Sequence, residues 1–443
     1  MPDPATATDS PTPTRSRLPG LDVTDHVLTV PLDWAAADRG DATESLRVLV
    51  REVVAPDRRG DDLPALVYLQ GGPGGASPRP SADVAWLTEL LRTHRVFLLD
   101  QRGTGRSTPV TPRAITARGA AAEQASYLGH FRADSIVRDA EHARRTLFDG
   151  RRWETLGQSY GGFCTLTYLS LAPEGLAACY VTGGLPSTRP DAAEVYRRTV
   201  PRIAAKNAAL RARFPHLADR AAQVADRLSA GDVRLPDGDV LTVRRLQTLG
   251  ARLGMVQGGT HLAWVLDDAL DDDGEPVPAF LEHVQGETSY ASNPLYVVLQ
   301  EAIYGTEGGA PTGWAAAAEL GRHPEFAETA RPLLFTGETM FPWMMEEIRL
   351  LRPYAAATAL LHERADWGPL YDLDRLAANE VPVAAAVYHD DMYVDSGLQL
   401  ETAAAMGATR TWVTNEHEHD GLRDPAVVAR LVRMVRDEGG PLR

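Results

Sequence analysis

Six short apolar runs constrain this chain more than anything else in it. They are 64–70, 95–101, 153–158, 178–183, 381–388 and 409–414. Such runs, closed by turn residues, read as strands buried on both faces of a parallel sheet. Helical patterns lie between them. Ile136, Val137, Ala140, Ala143 and Leu147 recur at helical spacing within 134–148, another helix starts just after Ser159, and two more are expected over 397–405 and 426–437. Strands alternating with helices make βαβ units, so the expected class is α/β, a mostly parallel sheet with helices on both faces. Ahead of these units, 26–34 and 45–54 alternate apolar and polar residues at period two, as antiparallel strands do.

The alternation stops at Leu185 and resumes after Trp367. Between them the pattern is mostly helical and rich in Ala, Arg and Leu. One sheet interrupted by a domain-sized helical insertion accounts for this. The expected divisions are 18–184 and 368–443 for the two parts of the core and 185–367 for the insertion. Residues 1–17 mix Pro, Thr, Ser and Asp with little to bury, and are expected to form a disordered tail.

Charge and composition narrow the function. Hydrophobic residues make up 44% and charged residues 24%, enough for a sizeable core. A net charge of −15 argues against nucleic acid, which needs cations for its phosphates, and against docking on anionic lipid. Cys164 and Cys179 lie in apolar segments and read as small core residues, not as a disulfide framework. No apolar run approaches bilayer length, and the first residues lack a secretory h-region. A soluble, cytoplasmic protein is expected. Nothing here indicates its oligomeric state.

Gly157-Gln158-Ser159-Tyr160-Gly161 matches G-x-S-x-G. Glycines are frequent in this chain, so the match means little until its context is added. It follows the apolar run 153–156 and precedes a helical run, the strand–turn–helix that exposes a serine nucleophile. A serine needs a base, and the base needs an orienting acid. In this arrangement the acid follows a late strand and the histidine follows the last one. His389-Asp390-Asp391 comes after 381–388, and His417-Glu418-His419 comes after 409–414. Gln70-Gly71-Gly72-Pro73-Gly74-Gly75 also follows a strand, where bare backbone can offer an N–H to an oxyanion. The N–H of Tyr160 would be the second donor. A phosphate cradle is a poor reading, because neither GxxxxGK[ST] nor GxGxxG is completed. A zinc site at His389, His417 and His419 would leave the serine motif unexplained. The acidic run 267–275 fails the calcium-loop pattern and reads as a solvated loop.

Together, Gln70–Gly75, Asp100-Gln101-Arg102-Gly103-Thr104-Gly105-Arg106-Ser107 and Gly157–Gly162 resemble the HGGPG, DQRGxGxS and GxSxGG motifs of the proline iminopeptidases, a family of the α/β-hydrolase superfamily. Order and spacing agree. The likeness runs from about His26 to the C-terminus and is weaker over 185–367, which corresponds to the family's helical cap. Gln70 replaces the usual first histidine, and Tyr388-His389-Asp390-Asp391 departs from the acid segment of smaller members.

The resemblance implies a serine exopeptidase that releases N-terminal proline from peptides, with no metal or cofactor. It implies Ser159 as nucleophile, Asp391 over Asp390 and Asp395 as acid, His419 over His417 as base, and Gly72 and Tyr160 as oxyanion donors. It also implies cap glutamates that bind the substrate's ammonium. Glu301, in a segment similar to the family's Glu-Asn-His-Tyr, is the first candidate. Glu338 is the second, with Phe341 and Trp343 as walls for a pyrrolidine ring. Asp100 and Arg102 are expected to be a structural ion pair, the alternative being a pair that supports the oxyanion loop. The other activities this core could carry are those of an esterase, an amidase or an aminopeptidase releasing short peptides.

Overall fold

The computed structural model describes residues 12–189 and 191–440. Nine strands form one sheet: β1 (Thr14–Leu18), β2 (Leu21–Pro31), β3 (Ser45–Val54), β4 (Ala65–Leu69), β5 (Arg95–Leu99), β6 (Trp153–Gln158), β7 (Leu176–Thr182), β8 (Val383–Tyr388) and β9 (Thr409–Thr414). Their order is β1-β2-β3-β5-β4-β6-β7-β8-β9. The first four in that order pair antiparallel, and the rest, from β5 to β9, pair parallel.

The expected tail needs correction at its end. Residues 1–11 lie outside the described residues, but Thr14–Leu18 is an edge strand paired with β2 from Thr14↔Asp25 to Leu18↔Leu21. All five of its residues are exposed. Backbone hydrogen bonds and a tight turn at Gly20 (φ 72°) hold it, so no apolar signal announces it.

The buried strands divide their side chains by alternation. Val67 and Leu69 of β4 pack with Ile136, Val137, Phe163 and Leu166, on the helices Ala133–Leu147 and Tyr160–Leu171. Leu66 and Tyr68 pack on the opposite face with Trp86, Leu87, Val428 and Leu431, on the helices Ala85–Leu90 and Pro425–Arg436. Period two along a strand puts successive residues on opposite faces, which is why β4 is apolar throughout.

Between β7 and β8 the chain runs through helices from Ala192–Arg213 to Leu373–Ala377, with only two isolated β-bridges among the described residues. The strand order reverses at β4, which has β5 on one side and β6 on the other. In open α/β sheets ligands bind beyond the carboxyl ends of the strands at such a point. No helix among the described residues is long and apolar enough to cross a membrane.

Candidate active site

β6 ends at Gln158, and Ser159 turns the chain at φ 54°, ψ −124° before the helix Tyr160–Leu171 begins. That backbone is costly for a residue with a side chain, on the order of 1–3 kcal/mol, so the surroundings must impose it. They do so by close approach. A Cβ on Gly157 would lie 2.3 Å from the Gly161 carbonyl oxygen, and one on Gly161 would lie 1.9 Å from that of Leu69. The Ser159 N–H donates to the Thr182 carbonyl at 3.0 Å. The turn therefore lifts Ser159 into a cavity of about 350 Å³, lined also by Gly71, Gly72, Glu338 and His419.

The glycine segment after β4 passes beside the serine. A Cβ on Gly71 would meet Gln158 Oε1 at 2.8 Å and Ser159 Cβ at 3.1 Å. Gly72 has φ 134°, open only to glycine. Tyr160 opens the helix, where N–H groups lack intrahelical acceptors. Its ring is buried near Phe163, and Tyr160 is not among the residues lining the cavity, so its backbone N–H, next to Ser159, is the only group it has for an oxyanion.

Asp100 and Arg102 do not pair with each other. Asp100, fully buried, accepts from the Ser77 N–H at 3.1 Å, the Arg106 N–H at 3.0 Å and Arg79 at 2.9 Å. Gln101 donates to the Gln70 carbonyl at 2.9 Å. Together they brace the chain on both sides of the glycine segment. Arg102 instead holds Asp139 through two bonds of 2.6 and 2.7 Å and donates to the Pro31, Leu32 and His130 carbonyls.

The acid and base candidates come together at the ends of β8 and β9. Asp391 Oδ2 meets His419 Nδ1 at 2.7 Å. Its Oδ1 accepts the Tyr393 and Val394 N–H groups at 2.8 and 3.1 Å. Asp391 is 1% and His419 3% exposed. Asp390 is exposed and paired with His389, while Asp395 caps the helix Ser396–Ala405. His417 stands between the Tyr388 and Trp412 rings. Burial by itself pushes the His419 imidazole down, but Asp391, helped by Glu338 and Asp420, more than offsets it and raises the pKa above the ordinary histidine value. No group of three or more His, Cys, Asp or Glu among the described residues is placed to hold a metal.

The four cap candidates separate. Glu338 lines the cavity, accepts from the Tyr296 hydroxyl at 2.6 Å and is pushed up to about 7, mainly by burial. Glu301 is not there. It is 1% exposed, and its carboxylate accepts the Ala315 and Ala316 N–H groups at 2.9 and 3.0 Å beside His362. Successive residues after a helix point in different directions, and it is Gln300 whose side chain lies toward Glu338 and favours its ionised form. Phe341 and Trp343 line a second cavity with Arg244 and Gln247. Met340 and Met344 anchor that segment in the core, which turns the two aromatics to the other side.

Tyr296, Arg252, Glu287 and Asn293 also line the first cavity. Arg252 and Glu287 form an ion pair there. Arg252 and Glu287 come from separate elements, and Asn293 caps the helix that carries Tyr296, but the four share no motif, so the sequence carries no signal that brings them together.

Two curated relatives are similar over nearly their whole length. A proline iminopeptidase of Aeromonas sobria is 47% identical over 95% of this chain and 98% of the relative. One of Aspergillus aculeatus is 33% identical over 90% and 89%. A solved proline iminopeptidase from Mycobacterium smegmatis aligns at a TM-score of 0.41 and 16% identity, over 92% of this chain and 98% of that one. The model of the alpha/beta hydrolase fold family matches residues 64–236. With strand order, elbow and full-length similarity in agreement, the chain belongs to the proline iminopeptidase family of α/β hydrolases.

Proposed function

We propose that the protein is a serine exopeptidase that releases N-terminal proline from peptides. The observation that carries this reading is the Asp391–His419 hydrogen bond at 2.7 Å beside a cavity that holds both Ser159 and the Glu338 carboxylate. A hydrolytic nucleophile and a counter-charge for an amine then share one space.

Ser159 Oγ attacks the carbonyl carbon of the first residue while His419 takes the hydroxyl proton. Asp391 binds Nδ1 and leaves Nε2 as the base. The Gly72 and Tyr160 N–H groups stabilise the oxyanion of the tetrahedral intermediate. His419 returns the proton to the leaving amine, and water, activated by the same imidazole, hydrolyses the acyl-enzyme. Glu338 binds the substrate's ammonium, whose charge favours the ionised carboxylate. Each step uses this chain's own groups. We also infer a cytoplasmic location, in line with two buried free cysteines.

A panel of aminoacyl anilides with free and acetylated N-termini tests the reading. Turnover is expected for free prolyl anilide and not for its acetylated form. Equal turnover of both would favour the esterase or amidase reading, and failure of Ser159 to react with a phosphonofluoridate would make the protein a binding module.

A further inference from the structure

The helix Ala192–Arg213, the first after β7, holds both loops that carry the acid and the base. Arg202 faces the acid loop, which leaves β8 at Tyr388 and enters the helix Ser396–Ala405. Its Nε meets Asp395 Oδ2 at 2.7 Å, and its terminal nitrogens donate to the His389 carbonyl at 2.6 Å and to Ser396 Oγ at 3.0 Å. One side chain thus ties the beginning of the loop to its end, with Asp391 between them. The guanidinium fork suits this, since its donors diverge in a fixed plane.

One helical turn further on, Lys206 faces the base loop. Its Nζ donates to both oxygens of Glu418, at 2.5 and 2.6 Å, and Glu418 immediately precedes His419. Lys206 is the single lysine among the chain's 45 Lys and Arg residues. A compact ammonium can reach both carboxylate oxygens from one nitrogen. Neither Arg202 nor Lys206 lines the cavity. They are four apart, so they stand on one face of the helix.

From this arrangement we infer that Arg202 and Lys206 are positioning residues. They set the separation of the Asp391 and His419 loops and make it depend on the seating of the cap's first helix. The inference rests on the proposed roles of Asp391 and His419. A triad hydrogen bond has only a few tenths of an ångström of tolerance, and a misplacement of about 1 Å can cost on the order of 100-fold in rate. The device acts on chemistry and not on substrate capture, because the amine's counter-charge at Glu338 belongs to other elements.

The test uses Arg202→Met, Lys206→Met and the double variant in the full-length enzyme. The measurements are kcat and KM on prolyl anilide, the rate of phosphonofluoridate inactivation, and Tm. Each single variant is expected to lower kcat and the inactivation rate by about 10- to 100-fold with little change in KM, after correction for the folded fraction. The double variant should lose less than the product of the two, since both act through one hydrogen bond. If a Met variant fails to fold, Arg202→Lys and Lys206→Gln are read in the same way. Single variants with wild-type kcat and inactivation rate, or with kcat lowered only in proportion to folded protein, overturn the inference. So do fully multiplicative losses in the double variant. Ser159→Ala run in parallel separates the two failures: if it stays active, the triad reading falls, whereas if it is dead while the clamp variants are normal, only the clamp falls.

Discussion

The Tyr296 hydroxyl donates to Glu338 across 2.6 Å, within the cavity that also holds Ser159. That bond favours the ionised carboxylate, yet burial outweighs it and leaves Glu338 at about 7. The group is poised to lose its proton when a cation arrives. Glu338→Gln should therefore cut kcat/KM for prolyl anilide by roughly 10- to 150-fold, the cost of a lost charge-assisted hydrogen bond of about 1.5–3 kcal/mol. Turnover of a small aryl acetate should hardly change. Equal losses on both substrates would place Glu338 in support of the fold or the triad.

The same group should make stability fall with pH. A carboxyl raised from 4.5 to about 7 on folding contributes stability that is fully present below 4.5 and is lost as pH rises through 7. Glu338→Gln removes that loss, so its Tm should exceed that of the wild type at pH 8 and not at pH 4. Thermal unfolding at the two pH values checks this, and a variant less stable at pH 8 contradicts it.

Activity should depend on pH differently for amine and ester substrates. His419 must be neutral to accept a proton, and its pKa is raised, so kcat/KM should climb through a midpoint above the unperturbed value of about 6.5. For an aryl acetate one group governs that limb. For prolyl anilide Glu338 must ionise as well, so the limb should be steeper, approaching about two powers of ten per pH unit at its acid end. Identical slopes for the two substrates would remove Glu338 from amine binding.

Ser159→Ala should lower kcat by about 10³-fold or more with the fold intact. Asp391→Asn should cost a similar amount, because an amide no longer favours the tautomer that leaves Nε2 free. His419→Ala should be inactive and His417→Ala active. A Ser159→Ala variant retaining a tenth of wild-type turnover would rule out the serine as nucleophile.

Glu301→Gln should act on stability. The carboxylate accepts two N–H groups of the helix Ala315–Leu320, and an amide supplies one acceptor oxygen in its place. A loss of about 1–3 kcal/mol is expected, seen as a lower Tm with kcat/KM per folded molecule unchanged. A selective loss on prolyl anilide would return Glu301 to substrate binding.

What the sequence determined by itself was the frame. Strands buried on both faces are mostly apolar, so β4, β5 and β7 stand out. The elbow needs Gly157 and Gly161 because backbone crowds within 2.3 Å of a Cβ there, so the need is written in residue identity. Asp391 and His419 were legible because loops after successive strands of one sheet open at the same edge, and chain order then fixes their meeting. β1 was not legible, since an exposed edge strand is held by backbone hydrogen bonds that leave no mark on composition. Only the tertiary structure decided which cap residues face the cavity. Gln300 and Glu301 are neighbours in the chain, yet one lies toward Glu338 and the other caps a helix. Phe341 and Trp343 turn away because Met340 and Met344 take the core. Arg202 and Lys206 reach loops 187 and 212 residues away in the chain. Among the described residues between β7 and β8 no strand ladder sets the direction of a side chain. Helix–helix packing sets it, and that depends on partners far away in the sequence.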